Sequence, residues 1–142
     1  MSRRVFLDAN VLFSAAWTPE NGLLLLWTAY DIHLYSSHYA VAEAERNLFA
    51  REKKVRLSQL LELVTLVGSR PSDCLPDDAS DLPTKDHPIL LAAMAAEADV
   101  LLTGDRAHFG RWYGKTIGGI RVLPPADLLT PMLEKEPPAT DH

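Results

Sequence analysis

The 142-residue chain has a single cysteine, Cys74. That excludes an internal disulfide framework and a metal site built from the cysteines of one chain, and it suits a reducing, cytoplasmic setting. Long apolar runs are missing as well. None approaches the ~20 residues that a membrane span needs. Met1-Ser2-Arg3-Arg4 leads straight into a strand-like run, so no secretory leader is expected there. Positive charge is scarce. Lysine and arginine number 14 against 19 acids, for a formal charge of −5, which argues against a protein that coats nucleic acid through bulk charge. It leaves room for chemistry in which divalent cations offset an acidic cluster. There is no internal repeat and no Pro/Gly-rich linker that would divide the chain. What the chain does have is apolar residues, 47% of the total, enough for the core of one domain.

Those apolar residues fall in a regular order. Residues 4–8 read as a strand, and 10–17 as a helix stopped by Thr18-Pro19. A second helix is expected over about 20–29, apolar nearly all round through Leu23-Leu24-Leu25-Leu26-Trp27 and so packed on several sides. Asp31–Ser36 gives a second strand, with Ser37 as N-cap of a helix over 38–52. A further helix, 57–67, aligns Leu57, Leu60, Leu61, Val64 and Val67 on one stripe, widened by Leu63 and Leu66. Residues 68–83 read as a loop with a short edge strand near Asp73–Leu75, and Cys74 as inert within it. A buried helix starts near Asp86, because Pro88 is tolerated only in a first turn, and ends near Ala98. Asp99–Asp105 supplies another buried strand and Ile117–Leu123 the last one. Pro124-Pro125 opens a short helix to about Leu133, and the tail 134–142 has too little to bury and is expected to be disordered.

Alternating strands and helices predict parallel βαβ units: a three-layer α/β/α sandwich with a central, mostly parallel sheet of four to five strands in one domain, 1–133. In open parallel sheets, ligands bind at the carboxyl ends of the strands. Asp8 and Asp105 end apolar strands, and Asp86 starts a helix on the same rim. A fourth acid is expected from the helix after the second strand, which offers Glu43 and Glu45. Two residues apart, they point ~200° away from each other and cannot share one site; the apolar periodicity does not choose between them. Clustered carboxylates raise one another's pKa, so a fold keeps them together only with a compensating cation. Hard divalent cations such as Mg²⁺ prefer oxygen ligands, and they can activate water and stabilise a leaving oxygen in phosphodiester hydrolysis.

At these residues the chain resembles PIN-domain nucleases, of the kind found as toxins in bacterial and archaeal toxin–antitoxin pairs. The resemblance rests on Leu7-Asp8-Ala9-Asn10-Val11-Leu12, on Ser37 followed by Glu43, on Lys85-Asp86-His87-Pro88-Ile89-Leu90 and on Ala98-Asp99-Val100-Leu101-Leu102-Thr103-Gly104-Asp105, and it spans about residues 4–130. It implies a metal-dependent endoribonuclease acting on single-stranded RNA. Asp8, Glu43, Asp86 and Asp105 would be the catalytic acids holding Mg²⁺ or Mn²⁺, with Asn10 and Thr103 supporting them. It selects Glu43 over Glu45. The family often has adjacent acids at the third position, where this chain has Lys85 and His87 around Asp86. The resemblance also implies a cognate antitoxin and a homodimer.

Other residues have plainer readings beside functional ones. Arg46, Arg51, Lys53 and Lys54 either balance Glu45 and Glu52 on a solvated face or guide an RNA backbone toward Glu43. Trp112 and Tyr113 either cover a core edge or stack an unpaired base. His87 reads as an exposed histidine at a helix start and Asp99 as structural. A rival function is a catalytically silent interaction module on the same fold, binding a protein through Leu57–Val67. A small phosphatase or nucleotide binder is weaker, because no Gly-rich phosphate loop follows the first strand.

Overall fold

In the computed structural model, which describes residues 2–68 and 75–135, six strands form one sheet in the order β3-β2-β1-β4-β6-β5. The strands are β1 (Arg3–Leu7), β2 (Ile32–Ser37), β3 (Val64–Val67), β4 (Val100–Leu102), β5 (Thr116–Ile117) and β6 (Ile120–Leu123). Every pairing is parallel except that of β5 with β6. Val5, Phe6 and Leu7 are buried in succession, as are Val100, Leu101 and Leu102. Consecutive residues of a strand face opposite ways, so unbroken burial means that both faces of the sheet are covered, in the three-layer α/β/α arrangement. The strand count is six where four to five were expected.

The first crossover begins at Asp8, whose side chain accepts from the Ala9 amide at 2.7 Å and caps α1 (Ala9–Trp17). Pro19 then forces the preceding Thr18 into extended backbone and ends the helix. The second helix is shorter and less buried than its apolar composition suggests. A 3₁₀ turn over Gly22–Leu24 leads into α2 (Leu25–Thr28), and of these residues only Leu26 is buried. Trp27 anchors the segment by donating from Nε1 to the Leu60 carbonyl.

The expected helix over 38–52 is two helices. Ser37 does cap α3 (His38–Asn47), accepting from the Ala40 amide. Asn47 then bonds back to the Glu43 carbonyl, and Leu48 turns extended to bury its side chain. The chain restarts as α4 (Arg51–Leu61). The expected helix 57–67 ends at Leu61, and Val64–Val67 is the edge strand β3. Leu57, Leu60 and Leu61 are thus helical, whereas Val64 and Val67 belong to the sheet. The edge strand expected near Asp73–Leu75, and Cys74 with it, falls mostly outside the described residues, as does most of the tail.

The second half follows the expected order. A 3₁₀ turn over Thr84–Asp86 leads into α5 (His87–Ala95), with Pro88 in its first turn. After β4 come α6 (Arg106–Phe109) and a 3₁₀ turn over Gly110–Trp112, where a loop was expected. The single last strand is a hairpin, β5 and β6, turning through Gly118 and Gly119 at φ of 59° and 81°. Both angles lie in the left-handed region that glycine enters without cost. The last helix, α7 (Pro125–Lys135), completes the described chain.

Candidate metal centre

The strand order places β1 between β2 and β4. Connections leave β1 toward one side of the sheet and return through β4 on the other, which makes their carboxyl ends the switch point where α/β sheets open a crevice. Asp8 follows β1 there, and Thr103, Gly104 and Asp105 follow β4. Asp8 is 4% exposed. Its Oδ2 accepts from Thr103 Oγ1 at 2.7 Å and from Asn10 Nδ2 at 3.2 Å. Asn10 in turn accepts from the Gly104 amide through Oδ1 at 2.7 Å, and Thr103 Oγ1 accepts from the Asp105 amide at 3.1 Å. A side-chain and backbone mesh therefore links the ends of two strands and fixes the orientation of both acids. Tyr113 supports it from outside by donating to the Thr103 carbonyl at 2.8 Å.

Asp86 enters from the turn before α5, 10% of its side chain exposed. His108 Nδ1 lies 2.9 Å from Asp86 Oδ2 and 2.8 Å from Asp105 Oδ2. Although these separations are short, neither Asp86 Oδ2 nor His108 Nδ1 makes a directed hydrogen bond among the described residues, and both atoms are shielded from solvent. Among the described residues, Asp86, Asp105 and His108 form a group whose donor atoms lie within 4.8 Å of one another. Glu43, half-buried on α3, lines the adjoining cleft with Ala9, Asn10, Phe13, Ala44 and Asn47, a space of about 340 Å³. Glu45 is exposed. Of the two acids that apolar spacing left open, Glu43 is the one that lines this cleft.

The electrostatics agree with this crowding. Burial pushes the Asp8 carboxyl up to about 6, despite the opposing bonds from Thr103 and Ala9, and the charges of Asp86 and Glu43 add to the rise. Asp86 is also raised, first by burial and then by Asp105 and Glu43, while the neighbouring His108 and Lys85 oppose it. Acids destabilised in this way, with a buried carboxylate oxygen left unpaired beside a second donor atom, suit a bound divalent cation.

Residues 4–107 match the sequence profile of the PIN domain. The chain belongs to the PIN-domain family. Two solved structures are similar to this PIN domain in fold. One is described as VapBC2 from Rickettsia felis bound to a DNA fragment from their promoter; at 16% identity it superposes with a TM-score of 0.62 over 85% of this chain and 98% of its own. The other is PAE2754 from Pyrobaculum aerophilum, 18% identical, with a TM-score of 0.59 over 95% of this chain and 100% of its own. No curated protein matches this chain in sequence.

The structure brings together Asp8, Asn10, Asp86, Thr103 and Asp105, with Glu43 beside them. Asn10 is not the cap of α1, a place taken by Asp8. The basic residues are more dispersed. Arg46 is exposed on α3, and Lys54 is exposed on α4. Arg51 lines a separate groove with Glu52, Val55, Arg56 and Gln59. The Lys53 ammonium is held over the Trp17 ring. Arg56 donates to the carbonyls of Ala16 and Trp17, tying α4 to the end of α1. Trp112 is buried at a core edge. Tyr113 supports Thr103. His87, expected to be exposed, is half-buried, with Nε2 2.9 Å from the Leu82 carbonyl. Asp99 is structural, accepting from the Arg4 amide at the opposite end of the strands.

His108 is the residue that reading the sequence missed. Its signal was local: Asp105-x-x-His108 at a helix start places the third residue's ring over the capping carboxylate, and Asp105 also accepts from the His108 amide at 3.2 Å.

Proposed function

We propose that this PIN domain is a divalent-metal-dependent endoribonuclease cleaving single-stranded RNA to leave 5′-phosphate and 3′-hydroxyl ends. The observation that carries the reading is the convergence of Asp8, Asp86 and Asp105 at the switch point, with Asp8 buried and raised to about 6. Asp8, Glu43, Asp86 and Asp105 would hold Mg²⁺ or Mn²⁺, which when bound supplies charge neutralisation and Lewis acidity for phosphodiester hydrolysis. Asn10 and Thr103 hold Asp8 in one orientation, so no reorganisation is needed when the substrate arrives. The cleft along Asn10, Phe13, Glu43 and Asn47 gives the strand a path to the acids. Arg46, Arg51, Lys53 and Lys54 would attract its backbone from the flank.

A role as the toxin of a toxin–antitoxin pair is supported by the family resemblance and by the fold shared with VapBC2. It implies a cytoplasmic protein, a cognate antitoxin and a homodimer. Exposed apolar side chains at Phe49 (87%) and Leu63 (69%) offer surface for such partners.

The test is cleavage of end-labelled single-stranded RNA with Mg²⁺ or Mn²⁺. Cleavage should disappear on chelation and fall at least ~100-fold in Asp8→Asn, the loss that removing one electrostatic catalytic group typically brings, with an unchanged circular dichroism spectrum. Undiminished cleavage by that variant, or none with either metal, overturns the reading.

A further inference from the structure

We infer that His108 is a nitrogen ligand of the metal site, so that the pocket favours Mn²⁺ over Mg²⁺ more strongly than its carboxylates alone would. The inference rests on the metal-dependent reading above and goes beyond it in the identity and chemistry of a ligand. His108 Nδ1 lies 2.9 Å from Asp86 Oδ2 and 2.8 Å from Asp105 Oδ2. A histidine placed there only to neutralise two acids would direct its N–H at one of them. Instead Nδ1 and Asp86 Oδ2 are both buried, and among the described residues neither has a hydrogen-bond partner. The Asp86 side chain is nine-tenths buried, so water does not readily satisfy that oxygen. Two buried atoms that converge without a directed hydrogen bond between them, next to a second carboxylate, describe a ligand set that a cation would complete.

The backbone holds His108 at this point. Its amide donates to Asp105 Oδ1, so the carboxylate and the ring are fixed by one capping turn. Phe109, the next residue, is fully buried and locks the turn to the core. Coordination through Nδ1 requires the neutral ring with its proton on Nε2. Mg²⁺ takes oxygen donors almost exclusively, whereas later divalent ions accept imidazole readily. One nitrogen among oxygens therefore shifts selectivity toward the transition metal without excluding Mg²⁺.

The test is pulsed electron paramagnetic resonance on the full chain loaded with Mn²⁺. The wild type should show ¹⁴N modulation that is absent in His108→Ala. In parallel, calorimetric titration with Mn²⁺ and with Mg²⁺ should show the Mn²⁺-over-Mg²⁺ preference falling roughly tenfold in His108→Asp, which substitutes an oxygen donor. Mn²⁺ bound without nitrogen modulation in the wild type would make His108 an ion-pair partner that metal displaces, and would overturn the inference while the metal-dependent reading stands. No Mn²⁺ binding at millimolar concentration would overturn both.

Discussion

The Thr103 hydroxyl donates to Asp8 Oδ2 at 2.7 Å across 95 positions of sequence. Thr103 Oγ1 itself accepts from the Asp105 amide, so one hydroxyl ties together two acids on neighbouring strand ends. Thr103 is fully buried. Thr103→Val keeps the shape and removes the hydroxyl, leaving a buried carboxylate oxygen and a backbone amide short of a partner. The expected cost is about 1–3 kcal/mol of stability together with a loss of RNA cleavage. Thr103→Ser restores both bonds and should recover most of each. Thermal melting and cleavage rates of the pair check this; an inert Thr103→Val would contradict it.

Gly104 tests the other arm of the same mesh. A Cβ at this position would meet Asn10 Oδ1 at 3.3 Å, the atom that accepts from the Gly104 amide. The contact is tight enough that the Asn10 side chain must shift slightly, and with it the amide group that faces Asp8. Gly104→Ala should therefore lower cleavage severalfold while moving the melting temperature little, because Gly104 is exposed. Asn10→Ala should reproduce the activity loss. Combining the two should add little further, since both act through one side chain.

Asp8 gives the stability of the metal-free protein a pH dependence of known sign. Its folded carboxyl is raised from the ordinary 3.8 to about 6, so the folded state holds this proton more tightly than the unfolded chain. The resulting stabilisation is complete below about pH 4 and lost as pH rises through 6. Between those limits the difference is on the order of 3 kcal/mol. With chelator present, Asp8→Asn should match the wild type near pH 4 and exceed it by up to that amount at pH 7. Denaturant melts at the two pH values measure the gap. A wild type more stable than Asp8→Asn at neutral pH without metal would show that Asp8 is not a destabilised charge.

How legible this site was depends on the scale of the signal. Asp8 and Asp105 were visible because each ends a short run buried on both faces, and such runs have few readings. Asp86 was visible through Pro88, which fixes where its helix begins. Glu43 and Glu45 were indistinguishable by apolar spacing, since both flank the same face; only the folded chain shows that Glu43 lines the cleft and Glu45 is exposed. The helix boundaries at 47–51 and 61–64 were hidden for a different reason. Leucines and valines spaced three and four apart also satisfy part of a strand's alternation, and Asn47 and Leu48 give no strong stop signal. His108 was not legible because its neighbours are acids, one within its own turn and one far off in sequence, in the turn before α5.

That hidden boundary makes a prediction about Leu57 and Leu63. One helix through 57–67 would present both on a single broadened apolar surface. The structure separates them: Leu57 on α4 is 1% exposed within the core, while Leu63, in the turn before β3, is 69% exposed. Leu57→Ala should leave a cavity and cost about 2–5 kcal/mol. Leu63→Ala should stay within about 0.5 kcal/mol, as surface changes away from special features do. If Leu63 belongs to a partner surface, its substitution should weaken self-association or antitoxin binding with the monomer's melting unchanged. Denaturant titration at low protein concentration, paired with sedimentation at high concentration, separates these effects. Equal destabilisation by the two substitutions would mean that Leu63 is core and the break between α4 and β3 is misplaced.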